Sequence, residues 1–184
     1  MNKLEEILKK VNAKSDLKSQ DIPSLDLYMD QIMTLFETNL SNNKRYPDDK
    51  LLTKTMINNY SKAGIIKPVK GKKYTKEQII GMLIIYILKN TISIQEIKEI
   101  LLPIYEKNES LEEIYDRFIN IKTKQKAEFE SLITNIINTH HLDITDDKDR
   151  LITIMALASL TNQITSVIEE MIDTYCKNLV DDNH

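Results

Sequence analysis

The chain has 184 residues, 25 of them Lys or Arg and 28 Asp or Glu, for a formal net charge of −3, and it holds one cysteine. That length suffices for one substantial core, the apolar content excludes wholesale disorder, and a single cysteine excludes an internal disulfide or a cysteine-built metal cluster. With three glycines, four prolines, few aromatics and abundant Leu, Ile, Lys, Glu and Asn, the composition predicts a mostly helical protein.

Residues 3 to 12 place Leu4, Ile7, Leu8 and Val11 on one helical stripe, after which residues 12 to 20 are polar and are expected to loop out. Met1-Asn-Lys-Leu-Glu-Glu runs into that amphipathic segment rather than into an apolar stretch with small cleavage residues, so no signal peptide and a cytoplasmic location are expected. Ser24 is placed as the cap of a second helix reaching about Leu40, with Leu25, Tyr28, Met29, Ile32, Met33, Leu35 and Phe36 inward, followed by a loop over residues 41–49.

Further along, Thr75 with Gln78, Ser93 with Glu96 and Ser110 with Glu113 have the spacing of capping boxes and predict helices over 76–89, 94–102 and 111–139, the second stopping before Pro103. The run from Ile79 to Leu88 is about half of a bilayer span and reads as a buried core helix. A last helix is expected from about Asp147 to Asn178, starting in an acidic cluster that suits a helix N-terminus. Its segment Leu151 to Leu160 is apolar nearly all round and calls for burial, in the core or against a second subunit. Leu157, Leu160, Ile164, Val167 and Met171 draw an apolar seam that Ile168, Ile172 and Tyr175 widen, and both a dimer and an intramolecular fold-back satisfy it.

Charge is distributed unevenly. From Lys50 to Lys76 there are eight lysines and no acidic residue, which leaves 17 basic residues to set against all 28 acidic ones elsewhere, a separation that steers polyanions to one face. Within the stretch, Thr53 is expected to cap a short helix ending at Ala63, with Gly64 in the left-handed position that closes helices. Met56, Ile57, Tyr60 and Ala63 then point inward, and Thr55, Asn58, Asn59 and Lys62 form the outer face. Asparagine can pair both donor and acceptor with adenine, threonine offers a methyl or hydroxyl, and Lys54 and Lys62 can reach phosphates; a plain solvated face is the competing reading. Ile65-Ile-Lys-Pro-Val reads as a strand and Lys70-Gly71 as a tight turn before Lys72-Lys73-Tyr74, so a small hairpin is expected, with Lys67, Lys70, Lys72 and Lys73 beside the helix. A basic surface loop is the alternative.

These residues also carry a family resemblance. Met56-Ile-Asn-Asn-Tyr-Ser-Lys-Ala-Gly-Ile-Ile-Lys-Pro, with Tyr74 and then Ser93-Ile-Gln-Glu-Ile-Lys-Glu-Ile-Leu-Leu102, resembles the MerR-type winged helix. Ile22-Pro-Ser-Leu-Asp-Leu-Tyr-Met-Asp-Gln31, with Leu52-Thr-Lys-Thr-Met-Ile-Asn-Asn-Tyr60 and Lys72-Lys-Tyr74, is more closely similar to the bacterial family called domain of unknown function 1836, over roughly residues 22 to 105. The MerR resemblance implies a dimeric DNA-binding transcriptional regulator with this helix and wing on DNA. Asn58 stands where MerR proteins place an arginine in the helix and Lys72 where they place one in the wing, so the guanidinium clamp of that family does not carry over.

No glycine-rich phosphate loop and no Ser-His-Asp motif is recognisable, and neither catalysis nor a cofactor is expected. His140, His141, Asp143, Asp146 and Asp147 crowd together but read as a solvated turn rather than a metal site, and Cys176 has no activating histidine nearby. The sequence therefore predicts an all-α protein with a small β-hairpin wing: an N-terminal helix and linker (1–21), a winged helix-turn-helix (22–105) and a helical dimerisation or regulatory region (106–184). Its expected partners are double-stranded DNA, through Lys54, Thr55, Asn58, Asn59, Lys62, Lys67, Lys70, Lys72 and Lys73, and a second copy of the chain. No membrane partner is expected, and no effector is indicated. The alternative is a helical interaction module whose basic face docks an acidic protein.

Overall fold

The computed structural model describes residues 3–69 and 71–176. In chain order these form α1 (Lys3–Asn12), β1 (Leu27–Tyr28), α2 (Met29–Leu40), α3 (Lys54–Lys62), β2 (Lys73–Tyr74), α4 (Lys76–Leu88), α5 (Ile94–Glu106), α6 (Leu111–Thr139) and α7 (Asp147–Tyr175). The mostly helical reading holds, and among the described residues the sheet is one antiparallel pair, β1 with β2.

The hub is α4. Ile79, Ile80, Met82, Leu83 and Ile85 are at most 1% exposed, as the all-round apolar run requires. Its start is fixed by a reciprocal capping box, with Thr75 Oγ1 accepting from the Gln78 amide and Gln78 Oε1 accepting from the Thr75 amide at 2.9 Å. Around it pack Ile32 and Phe36 of α2, Ile57 and Tyr60 of α3, Ile97 and Leu101 of α5, the first half of α6, and Ile172 of α7. A smaller cluster joins Leu8 of α1 to Ile133 and Ile137 of α6, with Leu157 of α7 against it.

Four local expectations are corrected. Residues 24–28 are not helical: Leu27 and Tyr28 pair with Tyr74 and Lys73, so the backbone there is committed to a sheet, and α2 begins at Met29 with Gln31 Oε1 accepting from the Tyr28 amide. Leu25 is consequently 77% exposed rather than inward. Ile65 to Val69 is not a strand either, so the wing is not a hairpin. Ile65 and Ile66 fold back, both amides donating to the Tyr60 carbonyl, while the carbonyls of Ile65, Lys67 and Pro68 are taken by the Tyr105 hydroxyl and the Gln78 amide. With its acceptors used by side chains, this segment has little left to offer a neighbouring strand.

The third correction is α5, which passes through Pro103 to Glu106. Proline removes one bond of the helical ladder, but the turn beyond it is anchored by Tyr105 and closed by Asn108 at φ 52°, with Glu109 donating to the Ile104 carbonyl. The fourth is the segment after α1. It does not loop out: Leu17 is fully buried, Asn43 exchanges two hydrogen bonds with the Ser15 backbone, and Lys122 pairs with Asp16.

Candidate nucleic-acid interface

Helix α3 is fixed at both ends as its sequence requires. Thr53 Oγ1 accepts from the Met56 amide at 3.1 Å, and Gly64 takes φ 73°, a conformation that other residues reach only with strain. Ile57 and Tyr60 hold the helix to the core, and burial raises the Tyr60 phenol above its ordinary pKa, keeping it neutral. With those two inward, Thr55, Asn58, Asn59 and Lys62 are exposed together on the far side.

The remaining lysines are distributed by the small sheet. Lys73 in β2 is directly opposite Tyr28 and sets its ammonium 5.0 Å from the centre of that ring. Two residues on, Asp30 forms an ion pair with Lys54, the first residue of α3. Tyr28 and Asp30 thereby bring the start of α3 and the 71–74 segment to one edge of the molecule. Lys72 is exposed beside them, and Gly71, at φ 78°, makes the turn. Lys67 is half-buried, its ammonium 5.0 Å from the Tyr105 ring centre. Lys70 lies outside the described residues.

Local pairing trims the charge of this stretch. Lys54 is shared with Asp30, and Lys76 is paired with Glu112 at 2.6 Å. Such exposed or half-exposed pairs contribute about 0–1 kcal/mol and exchange partners easily. Tyr28 and Asp30 were missed by sequence reasoning, which placed Tyr28 inside a helix. Only the pairing of residues 27–28 with 73–74, remote in sequence, puts them here.

The other candidate chemistry takes a structural form. At the turn after α6, His141 has φ 52°, Asp143 accepts from the Thr145 amide and hydroxyl, which lowers its pKa, and Asp146 caps α7 by accepting from the Lys148 and Asp149 amides. Among the described residues no group of three or more His, Cys, Asp or Glu is arranged to hold a metal ion. The Cys176 thiol is half-buried, with its pKa raised by burial and by Glu99, the opposite of an activated nucleophile.

The sequence model of a family described as "Domain of unknown function (DUF1836)" matches residues 17–118, more than half of the chain. The chain belongs to the DUF1836 family. The match takes in the α4 hub, α2, α3, α5, the two-strand sheet and the first two turns of α6, so the whole lysine-bearing edge lies inside the DUF1836 region. It begins at fully buried Leu17 and ends at Phe118, just beyond Tyr115, whose hydroxyl donates to the Leu17 carbonyl. No curated protein and no solved structure matches the chain.

Proposed function

We propose that the DUF1836 region of this chain binds double-stranded DNA in the manner of a MerR-like winged helix-turn-helix, with α3 in the major groove and Lys72 and Lys73 beside the phosphate backbone. The chain then acts as a transcriptional regulator in the bacterial cytoplasm and not as an enzyme. One observation carries this reading: the exposed face of α3 is an uncharged amide and hydroxyl surface, Thr55, Asn58 and Asn59, framed by Lys62 and by the lysines that the sheet gathers at the same edge. Amide and hydroxyl groups read base edges while lysines hold phosphates, and this charge lies on a chain that is otherwise strongly acidic. The seam on α7 adds the expectation of a homodimer, which would set two such helices on one duplex.

The test is gel mobility shift with random genomic fragments across a salt series. Binding should weaken steeply with salt, and Lys72→Ala with Lys73→Ala should flatten the log–log slope by about 1.8, at ~0.9 per phosphate contact. No shift at low salt, from protein with native circular dichroism, overturns the reading and leaves the docking of an acidic protein as the use of this face.

A further inference from the structure

The hairpin of α6 and α7 leaves apolar stripes uncovered on both of its helices. On α7, Thr153, Leu157, Leu160, Ile164, Val167 and Met171 alternate in steps of four and three, the spacing of a helix-packing seam. The seam is used unequally. Thr153 is buried and Leu157 packs against the Ile133 and Ile137 cluster, whereas Ile164, Val167 and Met171 are 53, 60 and 58% exposed. Ile168 and Ile172, which sequence alone assigns to a widened seam, instead turn into the main core beside α5. On α6, Ile114, Ile121, Phe129 and Leu132 are 39, 50, 37 and 44% exposed. Between the two helices and α1 runs a groove of about 620 Å³ with almost wholly apolar walls, including Ile7, Val11, Phe129 and Leu157.

We infer that a second copy of this chain covers these stripes, the two α6–α7 hairpins packing together as a four-helix bundle. Three features select that occupant. The groove is continuous with the seam, since Thr153 and Leu157 belong to both, so one partner hairpin laid along α7 meets both. The exposed seam is uncharged from Leu160 to Tyr175, while Glu169, Glu170 and Asp173 occupy other faces of the helix, so the complement is another apolar stripe and not a charged surface. The area also fits: the four α6 residues named above, with Ile164, Val167, Met171 and Tyr175 at 53 to 72% exposure, present on the order of 700 Å² per chain, close to the ~800 Å² each partner gives a stable interface.

A bilayer is the competing occupant, because α7 is long and apolar enough to cross one by length and composition. Length does not decide between them, since the uncharged stretch of α7, Leu151 to Ile168, extends about 27 Å at ~1.5 Å per residue, within the range of a spanning helix. Packing decides: Leu151, Ile152, Ile154 and Met155 are 50 to 62% exposed, but Thr153 and Ile172 of the same helix are buried, and Leu157 and Ile168 pack half-buried against the chain's own clusters.

Light scattering coupled to gel filtration tests the inference on the full chain without DNA, so its outcome is independent of the DNA-binding reading. The expected mass is twice the 21.4 kDa of one chain. Ile164→Glu with Val167→Glu, and separately Ile121→Glu on α6, should each raise the dissociation constant roughly a hundredfold or more with unchanged helical circular dichroism. A monomer mass for the unaltered protein at about 50 μM, well above the ~1 μM dissociation constants of even modest interfaces, overturns the proposal. So does a dimer that survives both variants, or loss of helical signal in them, which would place these side chains inside one chain. Flotation of a monomeric protein with phosphatidylglycerol vesicles would assign the face to a membrane instead.

Discussion

The Tyr115 hydroxyl donates to the Leu17 carbonyl at 2.7 Å, across 98 positions of sequence and inside the core. Leu17 is fully buried and Tyr115 is 2% exposed, so this bond fastens the segment after α1 to the first turns of α6. Burial and the nearby carboxylates of Asp16 and Asp116 raise the Tyr115 pKa well above its ordinary value, which keeps the phenol a donor at any physiological pH.

Tyr115→Phe keeps the ring and strips only the hydroxyl, leaving the buried Leu17 carbonyl unpaired. The expected cost is about 1–3 kcal/mol of unfolding free energy in urea titration, with an unchanged m-value. A variant as stable as the parent would show that this carbonyl finds another partner and that the bond does not hold the segment.

Tyr105 makes a similar bond, to the Ile65 carbonyl at 2.9 Å, and its pKa is pushed up to about 12 by burial first and by Glu77 second. A folded pKa above the unfolded value near 10 means that the neutral form is favoured in the native state. Its contribution is therefore fully present below about pH 10 and is lost as pH rises from there toward 12. Melting temperatures across that window should fall less steeply for Tyr105→Phe than for the parent; parallel curves would mean that Tyr105 does not couple folding to pH.

The helices were largely legible because their signals are local. Each boundary set by a side-chain oxygen accepting from an amide three residues on, at Thr53, Thr75, Ser93 and Ser110, stands where the sequence put it. What the sequence hid was long-range. Nothing near Leu27 announces Tyr74 as its partner, and nothing near Pro68 announces that Gln78 will take its carbonyl. The outer face of α3 was legible from periodicity, since fixing Ile57 and Tyr60 inward dictates the rest. The surroundings of that face were not, because Tyr28 and Asp30 arrive through the sheet.

Within α3 the amides and the cations are expected to act differently. Asn58→Ala or Asn59→Ala should reduce discrimination between a selected site and random DNA by about 1–3 kcal/mol, whereas Lys62→Ala should weaken both targets alike. Asp30→Asn, which releases Lys54 from its ion pair, should strengthen binding to both by up to about fivefold, the scale of an exposed pair near 1 kcal/mol. Competition binding with labelled duplexes separates these outcomes. Full discrimination in both asparagine variants would remove base reading from this helix.

Gln78 is expected to influence DNA binding without touching DNA. It is 8% exposed, and its side chain works in two directions: Oε1 completes the capping box of α4, while Nε2 donates to the carbonyls of Lys67 and Pro68 at 3.0 and 2.9 Å. The second pair of bonds holds the segment leading from α3 toward Lys72 and Lys73, whose described residues before β2 have no strand partner. Gln78→Glu keeps the capping acceptor but replaces the two-donor amide with a carboxylate facing two carbonyls; Gln78→Met removes both functions without adding charge. Both variants should accelerate hydrogen exchange at residues 65–69 while leaving the amides of α4 beyond its first turn protected. Affinity for DNA should fall several-fold in both, with the salt slope reduced, because lysines on a loosened segment lose their fixed register against the phosphates. Exchange rates and affinity equal to the parent in the methionine variant would show that the segment is positioned by Tyr105 and the two-strand sheet alone.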